Sequence, residues 1–132
     1  MFSGVISVNL SRILIVGAGS LLGGMLRYII SVVTAKYFGD FPLGTLLVNV
    51  AGGFLIGFIM QAGINLWSLS TESRIFITTG FLGGLTTFST FSYETISLLA
   101  EGSYFMGALN VCLNLFLALS ACWGGAAVAR ML

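Results

Sequence analysis

The sequence contains no histidine, one proline and two cysteines, and among its 132 residues only five are basic and four acidic. Each scarcity removes a class of function. Without histidine no Ser/His or Cys/His nucleophilic set can be assembled, and there is no P-loop and no pair of intramembrane carboxylates, so an enzyme is not expected. A net charge of +1 leaves no electrostatic footprint for nucleic acid and no basic tail for lipid headgroups. Cys112 and Cys122 both fall in the last apolar segment. On a helix they would stand roughly 15 Å apart along the axis, beyond disulfide reach, and they read as small buried apolar residues.

Apolar residues are what the chain has in excess. They make up 58% of it against 7% charged, with a mean hydropathy of +1.08. Such values describe an all-α membrane protein, a single domain over residues 1–132 with room for about four transmembrane helices of roughly 20 residues each. The spans are expected at about 13–35, 43–64, 75–99 and 104–129. The chain start lacks the basic residues of a signal peptide and its apolar run is too long for one. The first span therefore reads as a membrane helix with Arg12 at its mouth.

Within the first two spans, Gly19 with Gly23 and Gly53 with Gly57 form small-xxx-small pairs that let another backbone come close. Arg27 lies well inside the first apolar run. An arginine there is expensive, and it either faces a water-filled, anion-attracting vestibule or snorkels toward the interface that Lys36 and Asp40 mark. Asn49 is the only strongly polar side chain in the first half of the second span; it either ties helices together or offers an N–H donor to a permeating anion. Trp67, in the following loop, is placed as an interfacial anchor.

The third span holds the oddest stretch. Residues 80–92 set Gly80, Gly83 and Gly84 against Thr86, Thr87, Ser89, Thr90 and Ser92, punctuated by Phe88 and Phe91. Two readings stay open. One is a helix broken near its middle, because loose backbone in lipid survives only where protein buries it or where it lines a polar cavity. Two half-helices would then point a carbonyl-rich end, suited to a hard cation, and an amide-rich end, suited to an anion, at one place. The other is a glycine-softened helix whose hydroxyls bond back to their own carbonyls. Phe88 and Phe91 share a helix face, either as packing or with electropositive ring edges turned to a pore. Thr87, Ser89 and Thr90 would supply hydroxyls nearby, and Glu94 follows near the interface or beside a polar path. In the last span Asn110 and Asn114 lie on one face, as a polar track or as interhelical glue.

With four spans, Arg12, Arg74 and Arg130 share one side while Lys36, with or without Arg27, lies on the other. So feeble a bias permits insertion in both orientations, and two opposed copies could pair about a two-fold axis in the membrane plane.

Three groups of residues together resemble the Fluc (CrcB) fluoride-channel family. They are Gly23-Gly24-Met25-Leu26-Arg27-Tyr28, then Gly44-Thr45-Leu46-Leu47-Val48-Asn49 with Gly52, Gly53 and Gly57, and the stretch from Gly80 to Phe91, above all Gly83-Gly84-Leu85-Thr86-Thr87-Phe88-Ser89-Thr90-Phe91. The resemblance runs through the first three spans in order, and the fourth matches in length and general character. It implies a passive, fluoride-selective channel that lets the ion leave a microbial cytoplasm through the inner (plasma) membrane. It also implies four transmembrane helices per subunit, the third broken near its middle, in an antiparallel dual-topology homodimer with two pores. A structural sodium ion would sit on the dimer axis, held by the carbonyls of Gly83 and Thr86. The pore positions implied are Phe88, Phe91 and Asn49, with Thr90 and Ser89 in the hydroxyl track, Arg27 in the vestibule and Glu94 near one pore end. Where the family places fourth-span hydroxyls, the candidates here are Asn110 and Asn114. Fluoride is small and strongly hydrated, so its path needs many modest donors in place of water, binding well enough to enter and weakly enough to leave.

Two rival readings stand beside it, the second of a different class. A proton-coupled small-ion exporter would use Glu94 as its intramembrane carboxylate and would need a pH gradient. A non-transporting membrane subunit would explain the glycine packing but gives no reason for a mid-span hydroxyl run.

Overall fold

The computed structural model describes residues 8–65 and 68–132. Trp67, the expected anchor, lies outside them. Among the described residues every regular element is helical: α1 (Leu10–Phe38), α2 (Leu43–Asn65), α3 (Thr71–Ile75), a π-helical segment (Phe76–Leu82), α4 (Gly83–Leu85), α5 (Ser89–Ala100) and α6 (Tyr104–Met131). Three stretches are long and apolar enough to cross a membrane: Leu10–Phe38, Leu43–Gly63 within α2, and Tyr104–Met131. Large apolar side chains such as Leu21, Phe116 and Trp123 face outward along these helices. That costs nothing where the solvent is hydrocarbon. The chain is a multi-pass membrane protein.

Local chemistry sets the helix ends. Asn9 caps α1, its side chain accepting from the Ser11 N–H. Between α5 and α6 the chain reverses through Gly102, whose φ of +80° lies in the left-handed region, and Ser103 N–H donates to Leu98 O at 2.9 Å. A side chain at Gly102 would be strained there.

Helix packing is written in the glycines. The most extensive contact is α2 on α6. A Cβ on Gly57 would meet the carbonyl oxygen of Cys122, one on Gly125 that of Phe54, and one on Gly53 would lie 2.8 Å from Ala118 O. The second seam sets α1 against the π-helical segment and α4. There a Cβ on Gly23 would strike Phe81 O, and one on Gly19 would lie 2.6 Å from Phe76 O. Small residues thus let backbone touch backbone, so dispersion contacts accumulate where no hydrophobic driving force exists between helices. A small core of Val48, Leu82 and Leu85, flanked by Ile30, Ile59, Ile77 and Phe81, lies between the seams. Cys122 packs at the α2 seam, whereas Cys112 is exposed on α6, contrary to its expected burial; both are free thiols. The α2 contact decides which face of α6 turns inward, and Cys112 is on the other.

The π-helical turn was not anticipated by the sequence. Its wider winding delivers the Gly83 N–H to Thr78 O as well as Gly80 O, and it seats Gly80 against α1. Helical conformation then stops at Thr86 (φ −80°, ψ 155°) and resumes at Ser89.

Candidate functional site

The site is built around the non-helical residues 86–88. Asn49, on α2, reaches this interruption with its amide. Thr87 N–H donates to Asn49 Oδ1 at 2.9 Å, and Asn49 Nδ2 donates to Thr87 O at 3.1 Å. The side chain therefore pairs with one residue's N–H and C=O together, as a neighbouring strand would. The second N–H of Asn49 goes to Asn114 Oδ1 at 2.9 Å.

From Asn114 the hydrogen bonds continue in one direction. Asn114 Nδ2 donates to both the backbone carbonyl (3.1 Å) and Oδ1 (2.9 Å) of Asn110, and Asn110 Nδ2 donates to Thr95 Oγ1 at 3.0 Å. Thr95 Oγ1 closes the run by donating to Phe91 O at 2.8 Å. In a membrane interior every polar group needs such a partner.

On the other side of the interruption Thr87 Oγ1 accepts from the Thr90 N–H at 3.2 Å, as a capping hydroxyl does at the start of a helix, and donates to Thr90 Oγ1 at 3.1 Å. Ser89 Oγ lies 3.3 Å from the same Thr87 oxygen. Arg27 approaches from α1, its Nη1 3.5 Å from Thr90 Oγ1, while its Nε is buried with no hydrogen-bond partner among the described residues.

These bonds also decide what the carbonyls can do. In an unbroken helix the N–H of Thr87 would serve Gly83 O and that of Thr90 would serve Thr86 O. Here the first goes to Asn49 and the second to Thr87 Oγ1. The two carbonyls singled out as cation ligands are thus those whose usual donors are directed elsewhere. No cluster of His, Cys, Asp or Glu among the described residues suits a metal ion, so a hard cation here would depend on such oxygens.

An open groove of about 620 Å³ runs beside the interruption, bounded by Asn49, Gly52, Gly83, Thr86, Thr87, Phe88, Phe91 and Asn114 together with apolar residues of α2 and α6. Among the described residues no charged side chain lines it. Phe88 is 79% exposed, and its ring lies 5.4 Å from that of Phe91 with the planes tilted by 55°. Tilted rings present edges as well as faces, and the edges are electropositive.

The structure brings Asn49, Asn114, Asn110, Thr90, Ser89, Phe88, Phe91, Gly83 and Thr86 to this interruption, with Arg27 at its flank. Asn110 is fully buried behind the groove wall and does not line it, and neither do Thr90 and Ser89, which lie with Thr87 Oγ1 on the Arg27 side. Glu94 lies apart, in a second cavity of about 300 Å³ between α1, α2 and α5, edged by Asp40 and Glu101. Its Oε1 accepts from Thr45 Oγ1 at 2.7 Å, and its Oε2 is buried without a partner among the described residues. Sequence reasoning missed Thr95 and Thr45. Thr45 stands four residues before Asn49, on the same helix face, and Thr95 stands four after Phe91; that spacing was the available signal.

Residues 14–126 match the family model described as "CrcB-like protein, Camphor Resistance (CrcB)". Proteins named "Fluoride-specific ion channel FluC" are among its relatives. That of Clostridium perfringens is 51% identical over 120 residues, covering 90% of this chain and 94% of the relative. That of Clostridium novyi is 53% identical over 107 residues (80% and 84%), and that of Dehalococcoides mccartyi 44% over 124 (93% and 95%). With the family model matched over most of its length and about half its residues shared with relatives of nearly the same extent, the chain belongs to the CrcB family.

Proposed function

We propose that this chain is a passive, fluoride-selective ion channel that lets fluoride leave the cytoplasm, and not an enzyme. The observation that carries the reading is a groove edged by Asn49, Thr86, Thr87, Phe88, Phe91 and Asn114 with no charged side chain among the described residues, in a chain about half identical to proteins named as fluoride-specific channels. A cationic ring would hold a small anion too tightly to pass it on; modest donors exchange for its hydration shell and release it. Phe88 and Phe91 offer their edges, Thr90 and Ser89 their hydroxyls, and Arg27 draws anions to the mouth. Asn49 and Asn114 wall the path, their N–H groups given to Thr87, Asn114 and Asn110, with Asn110 behind them.

In this reading α3 through α5, with the π-helical segment, make the third of four transmembrane crossings, broken at residues 86–88. The outward-facing Phe88 and the open side of the groove are covered by a second copy in the opposite orientation, giving an antiparallel dual-topology homodimer with two pores. A sodium ion bound by the carbonyls of Gly83 and Thr86 at the dimer axis would supply a fixed positive charge that holds the carbonyl ends together. This chain's part is to keep those carbonyls free of helical donors.

A second reading, a proton-coupled exporter, rests on the buried, unpartnered Oε2 of Glu94. One experiment separates the two. Liposomes holding only the purified protein are loaded with fluoride or chloride and followed without a pH gradient. Fast fluoride loss with chloride retained, abolished by Phe88→Ile or Asn49→Ala, is the expected result. Flux that requires a proton gradient would replace the channel with the exporter, and no flux under either condition would leave the chain a non-transporting subunit.

A further inference from the structure

The buried amide run of α6 does not touch the groove at its far end, yet it starts from Asn49, the residue paired with the interruption. Asn110 is 0% exposed, and both ends of its amide are engaged: Oδ1 accepts from Asn114, and Nδ2 donates to Thr95. Asn114 is oriented by Asn110 through its backbone carbonyl and, more closely, its side-chain Oδ1, the acceptor a side-chain substitution removes. Its own Oδ1 therefore faces Asn49 and adds a third bond to the two by which Thr87 holds the Asn49 amide, with nitrogen toward α6 and oxygen toward the Thr87 N–H. Were Asn49 free to turn its amide over, its nitrogen would face that N–H and the bond would be lost. Thr87 N–H would then be available to Gly83 O, the acceptor a continuing helix gives it.

We propose that Asn110, with Asn114, is a positioning residue: through Asn49 it holds the Thr87 N–H away from the Gly83 carbonyl and so keeps the chain open at residues 86–88. Thr95 is the outer end of the same relay, anchored on the carbonyl of Phe91. The inference rests on the channel reading above and deepens it. It gives Asn110 a function without contact with the ion, and it ties the anion path and the carbonyl pair to one hydrogen-bond run.

The test uses full-length protein in liposomes at low protein density. There the extent of fluoride loss reports the fraction of functional channels, and the rate reports each channel's conduction. The variants are Asn114→Leu, Asn110→Val, Asn110→Thr and Thr95→Val. Asn110→Val and Asn110→Thr have nearly the same shape and differ in a hydroxyl that can accept from Asn114. The rate is expected to fall about tenfold in Asn110→Val, the factor that corresponds to losing one buried hydrogen bond, and to recover in Asn110→Thr. The loss should decline along the relay, greatest in Asn114→Leu and least in Thr95→Val. Thermal stabilisation by sodium over a bulky organic cation, measured in the same proteins, should weaken in the same order.

A merely structural role would reduce extent without rate, or rank the losses by burial with Asn110 worst; either result overturns the proposal. So would a wild-type rate in Asn110→Val. Absence of fluoride flux in the wild-type protein would instead sink the channel reading, leaving the sodium-dependent melting order to decide the relay.

Discussion

Gly23 and Gly24 are adjacent on α1, and the structure treats them differently. A Cβ on Gly23 would collide with the backbone carbonyl of Phe81, whereas one on Gly24 meets nothing within 4 Å. Replacing either by alanine brings the same gain in helix propensity, about 0.8–1.0 kcal/mol in water, so their difference isolates packing. The atom in the way of Gly23→Ala belongs to the backbone of the π-helical segment and cannot rotate aside. Overpacking of that kind costs about 1–3 kcal/mol, which leaves Gly23→Ala destabilised by up to about 2 kcal/mol and Gly24→Ala neutral or slightly stabilised. Conduction should follow. Arg27 lies one turn beyond Gly23, and its 3.5 Å approach to Thr90 is already at the limit of a hydrogen bond, so displacing α1 breaks it. The assay is thermal unfolding in detergent, read by loss of the native size-exclusion peak, with fluoride efflux from the same preparations. Equal melting temperatures for the two variants would refute the packing argument, because nothing else about these neighbours differs in kind.

The same logic predicts that Gly57→Ala, facing the Cys122 carbonyl, weakens the α2–α6 seam while Gly63→Ala, facing open space, does not; comparative melting decides it. A double-mutant cycle on Asn49 and Asn114 should return a coupling of about 0.6–1.7 kcal/mol, the range of interhelical polar contacts in membranes, and a coupling of zero would remove the bond between them. Thr45→Val strips Glu94 of its one hydrogen bond and is expected to lower stability by about 1–3 kcal/mol, measurable as a fall in melting temperature. Exchanging sodium for a bulky organic cation should lower both melting temperature and fluoride flux, while unchanged values would separate the carbonyls of Gly83 and Thr86 from any cation role.

How much of this could be read in advance depended on the range of the interaction. The helices followed from long apolar runs, and residues 80–92 stood out because glycines beside hydroxyls have no ordinary place in lipid. The spacing of Gly53 with Gly57 and of Gly19 with Gly23 announced close backbone contact but not the partner, which is a matter of which helix faces which. The π-helical turn left no local mark, since Phe76–Leu82 reads as any apolar segment; its wide winding goes with tertiary fit against Gly19 and Gly23. In the sequence Asn49 reads as a residue that must have a partner, with a neighbouring helix and a passing ion both possible. The structure gives its two N–H groups to Thr87 and Asn114, which makes its first task the shape of the interruption. That distinction depends on the rotation of α6 about its own axis, which places Asn114 within 2.9 Å of Asn49 and leaves Cys112 facing outward. The rotation in turn is fixed by Gly57 and Gly125 lying on opposing carbonyls. The polar run and the glycine seam are therefore one design read at two ranges: small residues bring the helices close enough for amides to meet, and the meeting amides hold the chain out of helical conformation at Thr86.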